Sequence, residues 1–231
     1  MRDFIQQFFF EGGAVYTLFG QKPMTDLLIF CGNEKDIALD DLSQSTLEQL
    51  SYQEDFTWIR WQAWCKFIDT AQLDNYVFVT RQSPIDPLYL VYGIVNVPLL
   101  EQVFDQFAQE FKAIDSAMTF SQALQELQQG GSRFWSEVFA NHYLSGILYG
   151  YGDENAKHFS ECVQHQKIPE QFSEATETGF IPLPVYAISG KDAQRETYQI
   201  QKERIEKIYQ GRDVIPVTMQ QLALVKKAKK K

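Results

Sequence analysis

The spacing of hydrophobic residues predicts a helix-rich chain. After Val97, apolar residues recur at three- and four-residue spacing as far as Phe111, which is typical of a helix with one buried face. Similar patterns predict helices over residues 1–10, 40–50, 55–69, 119–130, 132–148, 153–166 and 192–209, and a last helix that begins at Thr218. Ser132 and Asp153 stand where a polar side chain can cap the first turn of a helix.

Two segments have the composition of β-strands. "NYVFVT" and "LYLVYGIVNV" are rich in β-branched and aromatic residues, and "RQSPIDP" between them carries two prolines suited to a connection. We therefore expect an antiparallel pair. Residues 14–31 predict two short strands or a strand and a helical turn, and "IPLPVYAIS" predicts an extended segment that could be an edge strand.

These elements together predict an α+β fold. We expect one helix-rich domain with a small, mostly antiparallel sheet, in which residues 1–190 form an acidic α+β body and residues 191–231 a helical C-terminal extension with a basic tail. With 45% hydrophobic and 14% aromatic residues, the 231-residue chain can bury a large core.

The cysteines and the N-terminal segment indicate the cellular compartment in which the protein is expected. The three cysteines are widely spaced and form no CxxC pair, so neither a disulfide framework nor a zinc ribbon is indicated. The N-terminal segment lacks the apolar run of a signal peptide, and no run reaches the roughly 18 residues of a membrane span. We expect a soluble protein of a reducing compartment, the cytoplasm, and delivery into a host cell is compatible with this.

Charge is unevenly distributed along the chain. The net charge is −9, yet the residues from Lys191 onward carry +6 and the first 190 carry −15. An acidic body repels nucleic acid, because phosphate contacts dominate that affinity. The lysines of the segment 226–231 could touch anionic lipid or nucleic acid, or could be a solvated helix end.

Three tryptophans lie on one stripe of the helix predicted over residues 55–69. At 100° per residue, Trp58, Trp61 and Trp64 fall within about 120° of one another. Such a cluster is typical of a protein-binding hot spot. Such a stripe is more often a helix face that packs on the core.

The stretch "LYGYGDENAKHF" has the residues of a phosphate loop or a metal site, but neither pattern is complete. It lacks the third glycine of a dinucleotide loop, and it has no lysine followed by serine or threonine, as a P-loop requires. Asp153 is expected to cap the following helix. His158 and Cys162, at i and i+4, could supply two metal ligands, whereas a third from the same helix lies too far along the axis. We predict no cofactor, and a helix–loop–helix corner here.

His142 and Cys31 are the candidate catalytic residues. On a continuous helix, His142 falls on the apolar face beside Trp135 and Val138, so we expect it to be buried or to line a cleft. A buried histidine can serve as a general base, with Cys31 or a carboxylate as its partner. The alternative is a core histidine bonded to a backbone carbonyl.

A family resemblance rests on two segments. "AVYTLFGQKPMT" and "FWSEVFANHYLSGILYGYGDENAKHF" resemble segments of hypothetical proteins from intracellular bacteria of the chlamydial and legionella kind. The resemblance implies a bacterial origin and a host-directed use, and carries no activity, cofactor or site residue.

Two functions follow as hypotheses. The first is a non-catalytic module that binds another protein, whose identity and the oligomeric state the sequence leaves open. The second is a small hydrolase or transferase that uses His142 with Cys31 or a nearby carboxylate.

Overall fold

The N-terminal segment is helical, and most of its aromatic side chains are buried. A computed structural model of the chain describes residues 2–31, 57–68, 73, 75–84, 86, 88–173, 180–190 and 192–223. Helix α1 (Arg2–Ile5) continues as a π-helix (Gln6–Glu11), and α2 (Val15–Phe19) follows the glycine pair. The predicted first helix is thus confirmed, and the segment after it contains a helical turn before a strand.

The strands form a three-stranded antiparallel sheet. Its members are β1 (Met24–Phe30), β2 (Tyr76–Gln82) and β3 (Tyr89–Asn96), in the order β1-β3-β2. The predicted pairing of the two proline-linked strands, β2 and β3, is confirmed. Because β3 lies in the centre, residues 91–95 are buried throughout, as expected for a strand covered on both faces.

Side chains of the sheet enter two separate cores, because successive residues of a strand point to opposite faces. On the first face, Tyr92 and Ile94 pack with the N-terminal aromatic residues and with side chains from the C-terminal helices, such as Ile205. On the second face, Val79 and Val95 pack with the helices that follow β3. The two layers confirm an α+β architecture.

Helix α3 (Thr57–Ile68) packs Trp61 and Trp64 against the first core. Trp64 is entirely buried, and its indole N–H donates to the hydroxyl of Tyr92 at 2.7 Å. Trp61 is half-buried, with its ring centroid 5.9 Å from that of Tyr92. The side chain of Trp58 lies outside the described residues. The prediction of a tryptophan binding face is therefore wrong for Trp64, because this stripe of α3 faces the sheet.

The second layer consists of short helices, several of which have a polar residue as their N-cap. They are α4 (Val97–Gln106), α5 (Ala108–Ile114), α6 (Phe120–Gln128), α7 (Arg133–Ala140), α8 (His142–Leu148) and α9 (Asp153–Gln164). Thr119 and Gln122 form a complete capping box at the start of α6, and Ser132 caps α7 as predicted. These caps satisfy backbone N–H groups that have no partner inside a helix.

Asn141 divides what the sequence pattern predicted as one helix. Its side-chain oxygen accepts from the backbone N–H groups of Tyr143 and Leu144 at 3.1 and 3.2 Å. A residue that caps a new helix cannot also continue the previous one, since its backbone is extended. His142 is consequently the first residue of α8.

The C-terminal helices α10 (Ala193–Tyr209) and α11 (Val214–Ala223) complete the first core. Asp192 caps α10 by accepting from the backbone N–H of Arg195 at 3.0 Å. The prediction that Thr218 opens the last helix is wrong, since α11 begins at Val214 and Thr218 is buried within it. A domain boundary at residue 190 stays a prediction.

Some predictions concern segments outside the described residues. These are the helix over residues 40–50 and the lysine-rich tail from 226 to 231. Within the described ranges, no helix combines the length and the apolar character that crossing a membrane requires.

Candidate functional site

A cavity of about 480 Å³ lies between the second face of the sheet and the helices α8 and α9. We name it the sheet–helix cavity. Residues of β1, β2 and β3 form one side, and the segment 185–187 closes another. Most of the lining is apolar or aromatic, from residues that include Leu28, Val91, Phe139, Phe159, Phe172 and Val185. A cavity of this size and character is typical of a small-molecule site.

An ion pair between β1 and β2 lies in the wall of the cavity. Nη2 of Arg81 is 3.2 Å from Oδ2 of Asp26, and the two side chains are only 15% and 23% exposed. Asp26 stands opposite Gly93 of the central strand. A Cβ at Gly93 would approach the Cβ of Asp26 at 3.4 Å and Cγ2 of Val79 at 3.2 Å. The missing side chain at Gly93 therefore leaves room for charged groups from the two outer strands to meet across β3.

Tyr149 and Phe139 hold this ion pair from the helical side. The hydroxyl of Tyr149 donates to Oδ2 of Asp26, the same oxygen that accepts from Arg81. Burial raises the pKa of Tyr149 well above its ordinary value, and the negative charge of Asp26 is the second cause of the rise. The phenol therefore remains a donor. The guanidinium carbon of Arg81 lies 4.1 Å from the ring centroid of Phe139, a cation–π contact.

The turn after α8 brings its tyrosines to the cavity. Gly150 and Gly152 have φ of +74° and +84°, a conformation that favours glycine. The carbonyl of Gly150 accepts from Nε2 of Gln194 and from the hydroxyl of Tyr198, both at 2.8 Å. The turn is thereby fixed on α10, and Tyr149 and its neighbour Tyr151 line the cavity.

Asp153 does not cap α9 as the sequence predicted. Gly152 is the N-cap residue and has no side chain to accept a hydrogen bond. The carboxylate of Asp153 instead accepts from the hydroxyl of Tyr143 at 2.5 Å. The predicted corner between two helices is confirmed, although its closing contact is different.

A second polar network fixes the wall formed by the segment 185–187. The hydroxyl of Tyr186 donates to both carboxylate oxygens of Asp192, at 3.0 and 3.1 Å. Asn155 of α9 donates to Asp192 at 3.4 Å and accepts from the backbone N–H of Ser189 at 2.9 Å. Burial raises the pKa of Tyr186, and the hydrogen bond to Asp192 is the second cause of the rise. Two helices and one extended segment are thus joined beside the cavity.

A buried lysine lies next to the cavity, in contact with Tyr151. Lys22 is only 6% exposed, and its Nζ is 5.9 Å from the ring centroid of Tyr151. Burial lowers the pKa of Lys22 to about 8, and the nearby Asp26 opposes that shift. Burial also raises the pKa of Tyr151 to about 12, with a further contribution from Asp26. The sequence patterns gave no indication of this arrangement.

His142 lines the cavity, which is one of the two outcomes expected for it, whereas the other, burial, does not occur. The residue is exposed, and its ring meets that of Phe159 edge-on, with the centroids 5.7 Å apart. The prediction assumed a continuous helix, whereas the cap at Asn141 starts a new one and turns this position outward. His142 therefore lies at the rim.

Cys31 and His142 lie on opposite faces of the sheet. Its side chain belongs to the first core, and Sγ donates to the carbonyl of Leu88 at 3.0 Å. Leu28, three residues earlier, points to the opposite face and lines the cavity. The structure therefore does not form the predicted pair of nucleophile and base.

His158 and Cys162 lie close together on α9. Nε2 of His158 and Sγ of Cys162 are 3.8 Å apart. Among the residues that the structure describes, no group of three or more histidine, cysteine or acidic side chains is placed to hold a metal ion. The two residues therefore form at most half of a typical site.

No family model, curated protein or solved structure matches this chain. The chemical character of the sheet–helix cavity must therefore carry any functional inference. That character is an apolar and aromatic enclosure with one ion pair in its wall, which suits the binding of an organic molecule that also bears polar groups.

Sequence patterns missed the residues of this ion pair. Asp26 and Arg81 lie 55 positions apart, and the sequence pattern placed Arg81 in the proline-containing connection rather than in a strand. One signal was present: a charged residue inside a mostly apolar strand, as Asp26 is in "MTDLLIF". A charge in such a position needs a partner.

Proposed function

We propose that this protein binds a small organic molecule in the sheet–helix cavity. The volume of about 480 Å³ falls in the range of roughly 300–1,000 Å³ that ligand pockets occupy. Val185 and Leu28 at its border are exposed, so a ligand can enter without unfolding of a helix. The apolar lining supplies affinity, and the few polar groups supply orientation.

The ion pair of Asp26 and Arg81 is the observation that carries this proposal. Burial of two charges costs free energy, and the pair often contributes less stability than apolar residues of similar size would. Stability of the sheet alone therefore does not require charged residues at these two positions, because apolar residues would stabilise it as well. Charged groups in an apolar cavity are, however, what a binding site needs for specificity.

Ligand-observed NMR can test the proposal with four probes that share a phenyl group. These are L-phenylalanine, 3-phenylpropanoate, phenethylamine and 3-phenylpropanol. We expect at least one of them to bind with a Kd of about 1 mM or lower. The substitution Val185→Trp should abolish that binding by filling the cavity border. The matched control is Ile200→Trp on α10, because Ile200 is similarly exposed, at 63% against 52%, and does not line the cavity.

Two outcomes would overturn the proposal. One is the absence of binding by all four probes to the unmodified protein. The other is binding that survives Val185→Trp unchanged, which would place the probes elsewhere. Circular dichroism of each variant shows whether the fold is retained.

The earlier hypotheses stay predictions. A non-catalytic module that binds another protein, used towards a host cell, draws no support from Trp61 or Trp64, since both pack on the core. The hypothesis of a hydrolase or transferase keeps one of its two candidate residues, since His142 lies at the rim of the cavity and Cys31 lies in the first core.

A further inference from the structure

The ion pair in the cavity wall uses only part of its hydrogen-bonding capacity. Arg81 and Tyr149 both donate to Oδ2 of Asp26. Within the described part of the chain, Oδ1 of Asp26 accepts no hydrogen bond, and a single N–H of the Arg81 guanidinium is engaged. A guanidinium has five N–H donors and a carboxylate oxygen has two lone pairs. One acceptor and several donors therefore remain side by side.

From this arrangement we infer that the ligand is a zwitterion, an α-amino acid with an apolar or aromatic side chain. This inference rests on the proposed function and names the class of ligand. The carboxylate of the amino acid takes the free N–H groups of Arg81, for which a planar fork is well suited. Its ammonium group donates to Oδ1 of Asp26. The negative group of the ligand thus faces Arg81, and its positive group faces Asp26.

Ligands with a single charge fit this wall less well. A carboxylate bound to Arg81 lies beside the carboxylate of Asp26 and is repelled by it. An ammonium group bound to Asp26 is repelled by Arg81 in the same way. Both repulsions are strengthened because the pair is largely removed from water. Only a ligand that carries both charges turns each repulsion into an attraction, which is how sites gain specificity against close analogues.

The remaining walls suit the side chain of such a ligand. Aromatic rings of Phe159, Phe172 and Tyr186 line the cavity, together with Val91 and Ala156. The hydroxyl of Tyr186 is already bonded to Asp192, so this wall presents mainly ring surface. Aromatic side chains bury large areas and prefer edge-on or offset contact with other rings. A phenyl or a branched aliphatic group is the matching part of the ligand.

The four phenyl probes separate this inference from the proposed function. Relative to L-phenylalanine, 3-phenylpropanoate lacks the ammonium group, phenethylamine lacks the carboxylate and 3-phenylpropanol lacks both charges. In NMR titrations with the unmodified protein, we expect L-phenylalanine to bind about tenfold more tightly than each of the others. If 3-phenylpropanol or a singly charged probe binds as tightly as L-phenylalanine, the inference of a zwitterionic ligand is wrong, whereas the proposal that the cavity binds a small molecule is retained. If no probe binds, both fail.

Two variants that each remove one charge then test which group of the ligand pairs with Asp26 and which with Arg81. Asp26→Asn should remove the preference for L-phenylalanine over 3-phenylpropanoate, and Arg81→Met should remove its preference over phenethylamine. Arg133→Met is the control, since Arg133 forms an exposed ion pair with Glu137 outside the cavity and should leave both ratios unchanged. Preferences that persist in both cavity variants would overturn the assignment. Because the titrations with unmodified protein need no substitution, a variant that fails to fold leaves the inference testable.

Discussion

Tyr149 donates its hydroxyl hydrogen to Asp26, which stands 123 positions earlier in the chain. The bond joins the turn after α8 to the edge strand β1, and the same carboxylate oxygen holds Arg81 of β2. Three segments that are distant in sequence are therefore tied at one atom. This atom lies in the wall of the sheet–helix cavity, so the shape of the cavity and the stability of the fold depend on the same contact.

Removal of the Tyr149 hydroxyl should destabilise the fold measurably. In Tyr149→Phe, the partly buried carboxylate of Asp26 loses one of its two donors, and we expect the free energy of unfolding to fall by about 1–3 kcal/mol. Urea denaturation followed by circular dichroism measures the change. Tyr143→Phe is the matched control, because Tyr143 also donates to a carboxylate, that of Asp153, at an exposed position. Equal losses in both variants would contradict the special role of Asp26.

A close approach between α8 and α9 should make Gly146 intolerant of a side chain. A Cβ at Gly146 would lie 2.7 Å from the Cβ of Ala156, which is shorter than any normal carbon contact. We expect Gly146→Ala to cost about 1–3 kcal/mol of unfolding free energy, despite the better helix propensity of alanine.

The substitution Ala156→Gly provides the internal check for that clash. It removes the opposing methyl group, so Gly146→Ala should cost less in its presence than in the original chain. Thermal and urea unfolding of the two single variants and the double variant give the coupling energy. Purely additive costs would show that the clash is relieved in another way.

The sheet and most helices could be predicted because they depend on local patterns. The strands β2 and β3 combine β-branched residues with a proline-rich connection, and Ser132 and Asp192 act as caps from fixed positions next to their helices. In each case the controlling residues lie within a few positions of the element that they control.

The cavity could not be predicted in the same way, because tertiary contacts create it. No spacing rule relates Asp26 to Arg81 or to Tyr149, which meet only when the sheet and α8 pack together. His142 is exposed rather than buried for a local reason: the helical wheel assumed an unbroken helix, and the asparagine before His142 starts a new one. Trp64 shows the opposite case, since an apolar stripe alone does not distinguish a core face from a binding face.

Asp192 should control the order of the cavity wall. It accepts hydrogen bonds from Tyr186, from Asn155 and from the first turn of α10. We expect Asp192→Ala to lower the free energy of unfolding by about 2 kcal/mol or more, because a helix cap and a buried phenol lose their partner together. Hydrogen exchange should also become faster in the segment 181–190.

Asp213→Ala is the control for this wall. Asp213 likewise accepts from a backbone N–H at the start of a helix, that of Ile215, but it is exposed and lies away from the cavity. We expect hydrogen exchange in the segment 181–190 to remain unchanged in this variant. Unchanged exchange in Asp192→Ala as well would show that Tyr186 is held by packing alone.

The buried Lys22 should make the stability of the fold depend on pH in the alkaline range. Its pKa is about 8 in the folded protein and 10.5 in an exposed lysine. Between these values the unfolded chain binds more protons than the folded one, so the contribution of Lys22 to stability rises with pH in this window. Below pH 8 both states are charged, and the full cost of burying the ammonium group applies, roughly 3 kcal/mol.

Lys22→Met should therefore stabilise the protein most at neutral pH. The methionine side chain fills a similar volume without a charge, and we expect a gain of up to about 3 kcal/mol at pH 7 that declines as the pH rises from 8 to 10. Urea unfolding at a series of pH values measures it, with the exposed Lys112→Met on α5 as the control. A loss of stability at pH 7 would mean that the ammonium group has a favourable interaction stronger than its contact with Tyr151. A gain that does not vary with pH would mean that folding does not lower the pKa of Lys22, because both states would then bind the same number of protons.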